Sequence, residues 1–181
     1  RQTDETLDRN EFTAAVNAIL KAKRVYILGV RSAATLASFL GYYLNYLFPN
    51  VHIVTASGAS EMFEQMFRIS EEDVCVAISF PRYSKQTINA LRFINDRGTK
   101  IIAITDSKDS PIAEYADNLL VAKSDMVSVV DSLVAPLSLI NALIVAVTFS
   151  RRDEVYSNFN KLESIWDEYQ VYDKSDGAEN E

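Results

Sequence analysis

Short continuous apolar runs alternate along this chain with longer segments whose apolar residues recur at helical spacing. Continuous runs are typical of strands that are buried on both faces, and helical spacing is typical of amphipathic helices. The runs predict strands at residues 24–28, 51–54, 73–79, 100–105 and 118–121. The periodic segments predict helices at residues 4–22, 32–47, 57–67, 84–96, 110–116, 133–149 and 153–169.

This alternation of strands and helices predicts an α/β fold. Each right-handed crossover between strands returns the chain to the same sheet, and the strands that it joins are then parallel. We therefore expect a three-layer αβα sandwich around a five-stranded parallel sheet. A chain of 181 residues is long enough for one such domain with a substantial core.

The two helices predicted last are candidates for contact with another subunit. Residues 133–149 are apolar on nearly every side, so this helix must be covered all round. A membrane span is the alternative, but the stretch is slightly short and contains polar and helix-breaking residues. Residues 153–169 carry a seam of a and d positions, which favours either a dimer core or packing on the same domain. The seam consists of Val155, Phe159, Leu162, Trp166 and Tyr169.

The composition argues against several classes of function. The net charge is −7, so nucleic acid is not expected to bind this polypeptide directly. Cys75 is the single cysteine and lies in a predicted strand, and His52 is the only histidine. One subunit therefore cannot form a disulfide framework or a Cys/His zinc site. We expect a cytoplasmic protein without a cofactor.

Two polar loops follow predicted strands at the points where helices should begin. Open parallel sheets bind ligands at the carboxyl ends of their strands. The loops offer hydroxyl donors, unpaired amides at helix N-termini and two arginines, which together suit a phosphate or a carboxylate. Ordinary helix capping, with solvated arginines, is the alternative. The candidate ligand-binding residues are Gly29, Arg31 and Ser32 in the first loop and Ser79, Arg82, Tyr83, Ser84 and Thr87 in the second.

These segments resemble the sugar isomerase (SIS) domain, and more closely the ligand-sensing half of RpiR-type transcriptional regulators. The resemblance is carried by residues 25–32, 77–87, 101–107 and 110–113, and it covers roughly residues 21–150. It implies a phosphosugar-binding module of flavodoxin-like topology, in which the loops after the first and third strands hold the sugar phosphate. By that likeness Gly29, Arg31 and Ser32 match the first loop, and Ser79, Ser84 and Thr87 match the hydroxyl positions of the second.

The chain departs from the family pattern in both loops. Arg31 and Ala33 stand where many members have a second glycine and a further serine. The longer segment Pro81-Arg82-Tyr83 stands where many members have Ser-Gly. These departures leave open which sugar phosphate binds and which hydroxyls contact it.

RpiR-type regulators also carry an N-terminal helix-turn-helix domain, and no basic recognition helix precedes the first predicted strand here. The resemblance implies that residues 1–22 are a helix or linker from a missing DNA-binding domain. Residues 23–170 are then the phosphosugar-binding domain, and residues 171–181 a disordered acidic tail. The expected role is a non-catalytic effector and dimerisation domain that binds a sugar phosphate and forms a homodimer or larger homo-oligomer. It would meet DNA through the missing domain alone.

The alternative within the same superfamily is an aldose-ketose phosphosugar isomerase, which needs a base to move a proton between adjacent carbons. Glu61 is the candidate base, because it follows the second predicted strand, where related isomerases can place a functional glutamate. The simpler interpretation of Glu61 is an acid stabilised by a helix dipole. Nucleotide binding is not expected, because the chain contains no Gly-Lys-Ser or Gly-Lys-Thr triplet.

Overall fold

The computed structural model of the protein describes residues 8–55, 58–124 and 132–172. The strands are β1 (Val25–Gly29), β2 (Val51–Val54), β3 (Val74–Ile78), β4 (Lys100–Thr105) and β5 (Asn118–Val121). The helices are α1 (Arg9–Lys21), α2 (Ala33–Leu44), α3 (Ala59–Met66), α4 (Lys85–Asn95), α5 (Val134–Ser150) and α6 (Arg152–Glu168). One turn of 3₁₀-helix spans Ala113–Tyr115.

Within the described residues, the strands form one parallel sheet in the order β2-β1-β3-β4-β5. Every residue of β1 and β3 is buried, because these strands lie inside the sheet and are covered on both faces. β2 and β5 lie at the edges and contain partly exposed residues. The predicted α/β fold with a five-stranded parallel sheet is therefore confirmed.

Helices cover both faces of the sheet with apolar side chains. One face packs against α1, α2 and α5, and the other packs against α3 and α4. In α1, Ala15, Val16 and Ile19 are buried in the first of these layers. The carboxylate of Glu11 in α1 also accepts a hydrogen bond from the amide of Leu119 in β5, at 3.1 Å. The described part of residues 1–22 thus shares the core of the sheet domain.

Several predicted boundaries fall on residues outside the described ranges. The first helix is predicted from residue 4, and its described part begins at Arg9 after Asp8. Asp8 is an N-cap, since its carboxylate accepts hydrogen bonds from the amides of Asn10 and Glu11 at 2.8 and 3.3 Å. Residue 57, the predicted start of the third helix, and most of the predicted acidic tail also lie outside the described residues.

The helix predicted at residues 110–116 is wrong, because only Ala113–Tyr115 is helical there, as a 3₁₀ turn. The amide of Ala113 bonds the carbonyl of Ser110, and the amide of Ala116 bonds that of Ala113. These hydrogen bonds span three residues, as in a 3₁₀-helix, instead of the four of an α-helix. Such a short segment cannot repay the cost of starting an α-helix.

The last two helices leave apolar side chains in solvent. α5 buries Leu139, Leu143 and Val147 against the core, whereas Phe149 is 71% exposed. α6 buries none of its residues. Among the described residues, no single helix has the length and apolar character of a membrane span, and α5 and α6 reach that length only together, across a bend of 97°.

Candidate functional site

The first loop, residues 30–32, and the second loop, residues 79–84, lie side by side at the carboxyl edge of the sheet. β1 and β3 are parallel neighbours with Gly29 opposite Ile78, so the loops leave the sheet about 4.8 Å apart. From β1 the chain passes to β2 on one side, and it returns to β3 on the other. Open α/β sheets bind their ligands at such a change of direction.

The first loop brings the start of α2 close to the sheet. Gly29 is required for this approach, because a Cβ there would lie 2.6 Å from the carbonyl oxygen of Ala33 and 2.9 Å from the Cβ of Ala37. Arg31 adopts a left-handed backbone with φ 58°, which costs about 1 kcal/mol for a residue with a side chain. Ser32 occupies the N-cap position of α2 but makes no capping hydrogen bond with its side chain. Both Arg31 and Ser32 are exposed, so this loop presents a cation and a hydroxyl to solvent.

The second loop continues the sheet for one residue before it turns into α4. The amide of Ser79 donates to the carbonyl oxygen of Ile104 at 3.1 Å, and Ser79 is buried. Arg82 is exposed. Ser84 is the N-cap of α4, and its hydroxyl oxygen accepts a hydrogen bond from the amide of Gln86 at 3.2 Å. The capping role that the sequence left open is therefore present at Ser84.

Two buried hydroxyls at this edge of the sheet have no hydrogen-bond partner among the described residues. Thr87 lies in the first turn of α4 and is fully buried, and Ser110 lies in the loop after β4 and is 5% exposed. A buried hydroxyl without a partner costs about 1–3 kcal/mol. A third unpartnered group, the side-chain oxygen of Asn118, lies at the opposite edge, at the start of β5. The carboxyl edge of the sheet therefore holds two buried hydroxyls whose hydrogen-bonding capacity is not used by the described protein groups.

Tyr83 joins the second loop to the end of β4. Its hydroxyl donates to Oδ1 of Asp106 at 2.7 Å, and the hydroxyl of Thr105 donates to the same oxygen at 3.1 Å. Burial, with the hydrogen bond to Asp106 and the charge of its carboxylate, raises the pKa of Tyr83 to about 12. Tyr83 therefore remains a protonated donor at neutral pH, and its hydroxyl is engaged within the protein.

Asp106 is absent from the set of residues predicted from the sequence, although it directly follows β4. The bond to Tyr83 forms because β3 and β4 are neighbours with Ile78 opposite Ile104, which brings together residues 23 positions apart. An acidic residue just after a buried strand is the local signal. The partner of that residue becomes evident only from the strand order.

Glu61 is the candidate base of the isomerase alternative, whereas His52 and Cys75, the only histidine and cysteine, are not candidate site residues. Glu61 is exposed in the first turn of α3, which follows the edge strand β2. β1 lies between β2 and β3, so Glu61 begins its helix two strands away from the second loop. His52 is exposed and stacks on the ring of Tyr26, with ring centroids 4.9 Å apart. Cys75 is fully buried, and burial raises its pKa to about 12, so the thiol behaves as a small apolar group.

A groove of about 910 Å³ lies between the C-terminal end of α2 and α6. Tyr46 and Leu162 are part of its lining, whereas none of the predicted ligand-binding residues is. Tyr46 joins the two helices, since its ring stacks on Phe159 at 5.4 Å and its carbonyl accepts from the side chain of Asn158. The hydroxyl and arginine side chains predicted to bind an anion therefore lie outside this groove, on the two loops and at the start of α4.

Comparisons with known sequences identify the family to which the chain is similar. The sequence model of the SIS domain matches residues 18–146. An HTH-type transcriptional regulator of Haemophilus influenzae is 31% identical over 121 residues, which are 66% of this chain and 41% of that protein. A second HTH-type regulator, of Clostridium perfringens, is 28% identical over 118 residues, or 64% of this chain and 41% of that protein. The chain therefore spans about two-fifths of the length of these relatives.

Comparisons with solved structures extend the likeness to nearly the whole chain. The sugar isomerase domain of an RpiR transcription factor from Sphaerobacter thermophilus superimposes with a TM-score of 0.84 at 28% identity, and 90% of each chain is covered. The Vibrio vulnificus NanR protein, solved in complex with ManNAc-6P, gives a TM-score of 0.77 at 19% identity. That match covers 91% of this chain and 63% of NanR, and it shows the shared fold.

Proposed function

This chain belongs to the SIS domain family, and from that premise we propose that it is the non-catalytic effector domain of an RpiR-type regulator of carbohydrate metabolism, which binds a sugar phosphate. The observation that carries the proposal is the hydroxyl of Thr87, which is fully buried in the first turn of α4 without a partner among the described residues. That hydroxyl has no accessible surface in the free protein, so a phosphate at the start of this helix would reach it through a small shift of the first turn of α4. The phosphate would also accept hydrogen bonds from the amides at the start of α4.

The two loops supply the remaining donors for a dianion. Ser84 accepts a hydrogen bond from the amide of Gln86, so its own proton remains for a phosphate oxygen. Arg31 and Arg82 are exposed, one on each loop, and a guanidinium can bind phosphate through two parallel hydrogen bonds. The loops leave neighbouring strands, so both can act on one ligand. A sugar phosphate satisfies these donors with its phosphate and offers hydroxyl groups to the rest of the edge.

The regulatory role is supported by relatives that are HTH-type transcriptional regulators. In such a protein the helix-turn-helix domain would contact DNA, and the SIS domain would report the level of a metabolite. The sugar phosphate can change DNA binding only by as much as its affinity differs between two states of the regulator. A domain with this role needs no catalytic base.

We also propose that two or more copies associate through one side of the molecule. Most of the large apolar side chains that are exposed within the described residues lie on α2 and α5 or on and just after α6, so they belong to the same side of the sheet. A large apolar patch that is exposed to solvent is typical of a protein–protein interface. The exposed residues on this side are Tyr42, Tyr43, Val134, Val145, Phe149, Tyr156, Phe159, Ile165, Tyr169, Val171 and Tyr172.

A thermal-shift screen tests the binding of a sugar phosphate. The panel contains hexose, pentose and amino-sugar phosphates, including ManNAc-6P, each paired with its unphosphorylated sugar, and inorganic phosphate. A ligand at a hundred times its Kd stabilises the folded state by about 2.7 kcal/mol, which raises the Tm by roughly 5–10 °C for a domain of this size. We expect one sugar phosphate to give such a shift and its unphosphorylated sugar to give none. A panel without any shift would contradict the proposal.

The isomerase remains the second candidate, because the exposed carboxylate of Glu61 begins a helix at the same edge of the sheet. An aldose-ketose isomerase needs a base to move the proton, and removal of that base lowers the rate of isomerisation by about 10²–10⁴-fold. The sugar phosphate found by the screen is therefore incubated with the wild-type protein and with Glu61→Gln. Conversion by the wild type that is lost in Glu61→Gln would establish the isomerase. Binding without conversion is the result that we expect.

A further inference from the structure

We propose that Asp106 is a specificity-determining residue of the ligand site, whose carboxylate accepts hydrogen bonds from the hydroxyl groups of the bound sugar. This inference rests on the proposed function, because it concerns the same sugar phosphate. Asp106 contacts the second loop directly, because the hydroxyl of Tyr83 donates a hydrogen bond to Oδ1 of Asp106 at 2.7 Å.

The strand order places Asp106 beside the phosphate-binding groups. β4 is the neighbour of β3 on the side away from β1, and Ile78 lies opposite Ile104. Asp106 therefore leaves the sheet about one strand spacing, or about 4.8 Å, from the start of the second loop. A sugar phosphate is longer than this spacing. With its phosphate at the start of α4, its sugar can extend along the edge as far as β4.

The carboxylate of Asp106 is held in place and keeps capacity for a ligand. Tyr83 and Thr105 both donate to Oδ1, which fixes the orientation of the group. An ionised carboxylate has about four acceptor positions, and neither of these two bonds uses Oδ2. Asp106 is half-buried rather than enclosed.

Charge decides which end of the ligand meets Asp106. The exposed Arg31 and Arg82 and the starts of α2 and α4 attract an anion. A carboxylate repels a phosphate but is a strong acceptor for hydroxyl donors. The two ends of a sugar phosphate are therefore sorted along the edge, with the phosphate at the two loops and hydroxyl groups at Asp106. The loop after β4 also contains Ser110, the second buried hydroxyl without a partner among the described residues.

The test compares two ligands, the sugar phosphate with the largest thermal shift in the screen and inorganic phosphate. Both are titrated calorimetrically into the wild type, Asp106→Asn and the control Asp109→Asn. Asp109 is an exposed acid on the same loop, so its variant removes the same charge without touching the contact with Tyr83. We expect Asp106→Asn to weaken sugar phosphate binding by about tenfold or more and to leave phosphate binding unchanged or up to about threefold tighter. Asp109→Asn should keep the wild-type ratio of the two affinities.

Tyr83→Phe is the second variant of the test, because Tyr83 acts as a positioning residue for Asp106. It keeps the carboxylate but removes its tether, so sugar phosphate binding should fall less than in Asp106→Asn while phosphate binding stays the same. Asp106→Glu keeps the negative charge but moves the carboxylate by one methylene group. It is used in place of Asp106→Asn if the Tm of ligand-free Asp106→Asn is well below that of the wild type. We expect it to lose affinity for the sugar phosphate alone.

Equal losses for both ligands in a folded Asp106 variant would overturn the inference, since Asp106 would then support the loop instead of contacting the sugar. An Asp106→Asn variant with wild-type affinities would overturn it too. A wild type that binds inorganic phosphate but no sugar phosphate, or neither, would overturn the proposed function together with this inference. The ratio of the two affinities in the wild type and the variants therefore separates the two failures.

Discussion

The hydroxyl of Thr87 lowers the free energy of unfolding of the ligand-free protein, because it is buried and has no hydrogen-bond partner among the described residues. Thr87→Val keeps the shape of the side chain and removes the hydroxyl. We expect the free energy of unfolding of the free protein to rise by about 1 kcal/mol, and sugar phosphate affinity to fall by about tenfold. Urea unfolding and calorimetric titration measure the two effects.

Thr99 provides the matched control for this substitution. It is also buried, but its hydroxyl donates to the carbonyl oxygen of Ser70 at 2.7 Å, at the opposite edge of the sheet. Thr99→Val should lower the free energy of unfolding by about 1–2 kcal/mol and leave sugar phosphate affinity unchanged. Equal destabilisation by Thr87→Val and Thr99→Val would show that the hydroxyl of Thr87 has a partner within the free protein.

Tyr83 gives the stability of the protein a pH dependence in the alkaline range. Its pKa is raised from 10.0 to about 12, so between these values the folded state keeps a proton that the unfolded state loses. The stabilisation by Tyr83 is therefore complete below pH 10 and is lost as the pH rises from 10 to about 12. Tyr83→Phe should lower the free energy of unfolding by about 1.5 kcal/mol at pH 7, where its hydroxyl bonds a carboxylate.

The difference between wild type and Tyr83→Phe should shrink as the pH rises above 10. Urea unfolding of both proteins at neutral pH and at several alkaline pH values measures it. Other groups that titrate in this range are common to both proteins and cancel in the difference. A difference that stays constant up to the alkaline limit would contradict the assignment of the raised pKa to Tyr83.

At the scale of elements, the first loop depends on how closely α2 approaches β1. Gly29→Ala would place a Cβ 2.6 Å from the carbonyl oxygen of Ala33, which is backbone and cannot rotate away. We expect Gly29→Ala to lower the free energy of unfolding by about 1–3 kcal/mol and to weaken sugar phosphate binding, because the start of α2 must shift. Urea unfolding and calorimetry measure both effects.

Gly58 is the control for Gly29, since a Cβ at Gly58 meets nothing within 4 Å and the backbone there is extended, with φ −166°. Gly58→Ala should change the free energy of unfolding by less than about 1 kcal/mol. Similar effects of the two substitutions would argue against the close approach at Gly29.

The elements that could be predicted from the sequence are those whose signal is local. The strand at 118–121 matches β5, and the predicted strand at 73–79 exceeds β3 by one residue at each end, because buried strands are continuous apolar runs. The helix predicted at residues 110–116 is wrong, because the capping residues and the proline there resemble the start of an α-helix. The hydrogen bonds of Ala113 and Ala116 close three-residue turns instead.

Some features of the candidate site are likewise predictable from the sequence, and others depend on the fold. The two loops are predictable because polar residues follow buried strands, and the parallel fold places those positions at one edge. The bond between Tyr83 and Asp106 is not predictable, since it depends on β3 and β4 being neighbours. The absence of a hydrogen-bond partner for Thr87 among the described residues is also not predictable, because the sequence shows only a threonine in the first turn of a helix.

At the scale of the whole molecule, association should depend on the apolar side formed by α2, α5 and α6. Phe149 in α5 is 71% exposed, and Ile165 in α6 is also exposed. A charged residue in the middle of an apolar interface would be buried without a partner. We expect the wild type to sediment as a dimer or larger species, and Phe149→Glu and Ile165→Glu to shift the distribution toward monomer.

Phe67 is the control for this surface, because it is 58% exposed at the end of α3, on the opposite side of the sheet. Phe67→Glu should sediment like the wild type. A wild type that is monomeric at high micromolar concentration would contradict the proposed association, as would dimers that survive both substitutions.

The central claim is that the protein binds a sugar phosphate at the two loops and does not convert it. Phosphorus NMR tests both parts in one sample, because the ligand resonance reports binding and a product would add a resonance of its own. We expect wild-type protein to shift or broaden the resonance of the sugar phosphate selected by the screen, Thr87→Val to have a much weaker effect at the same concentration, and no new resonance to form on prolonged incubation. An unchanged resonance with the wild type, or the growth of a product resonance, would contradict the account.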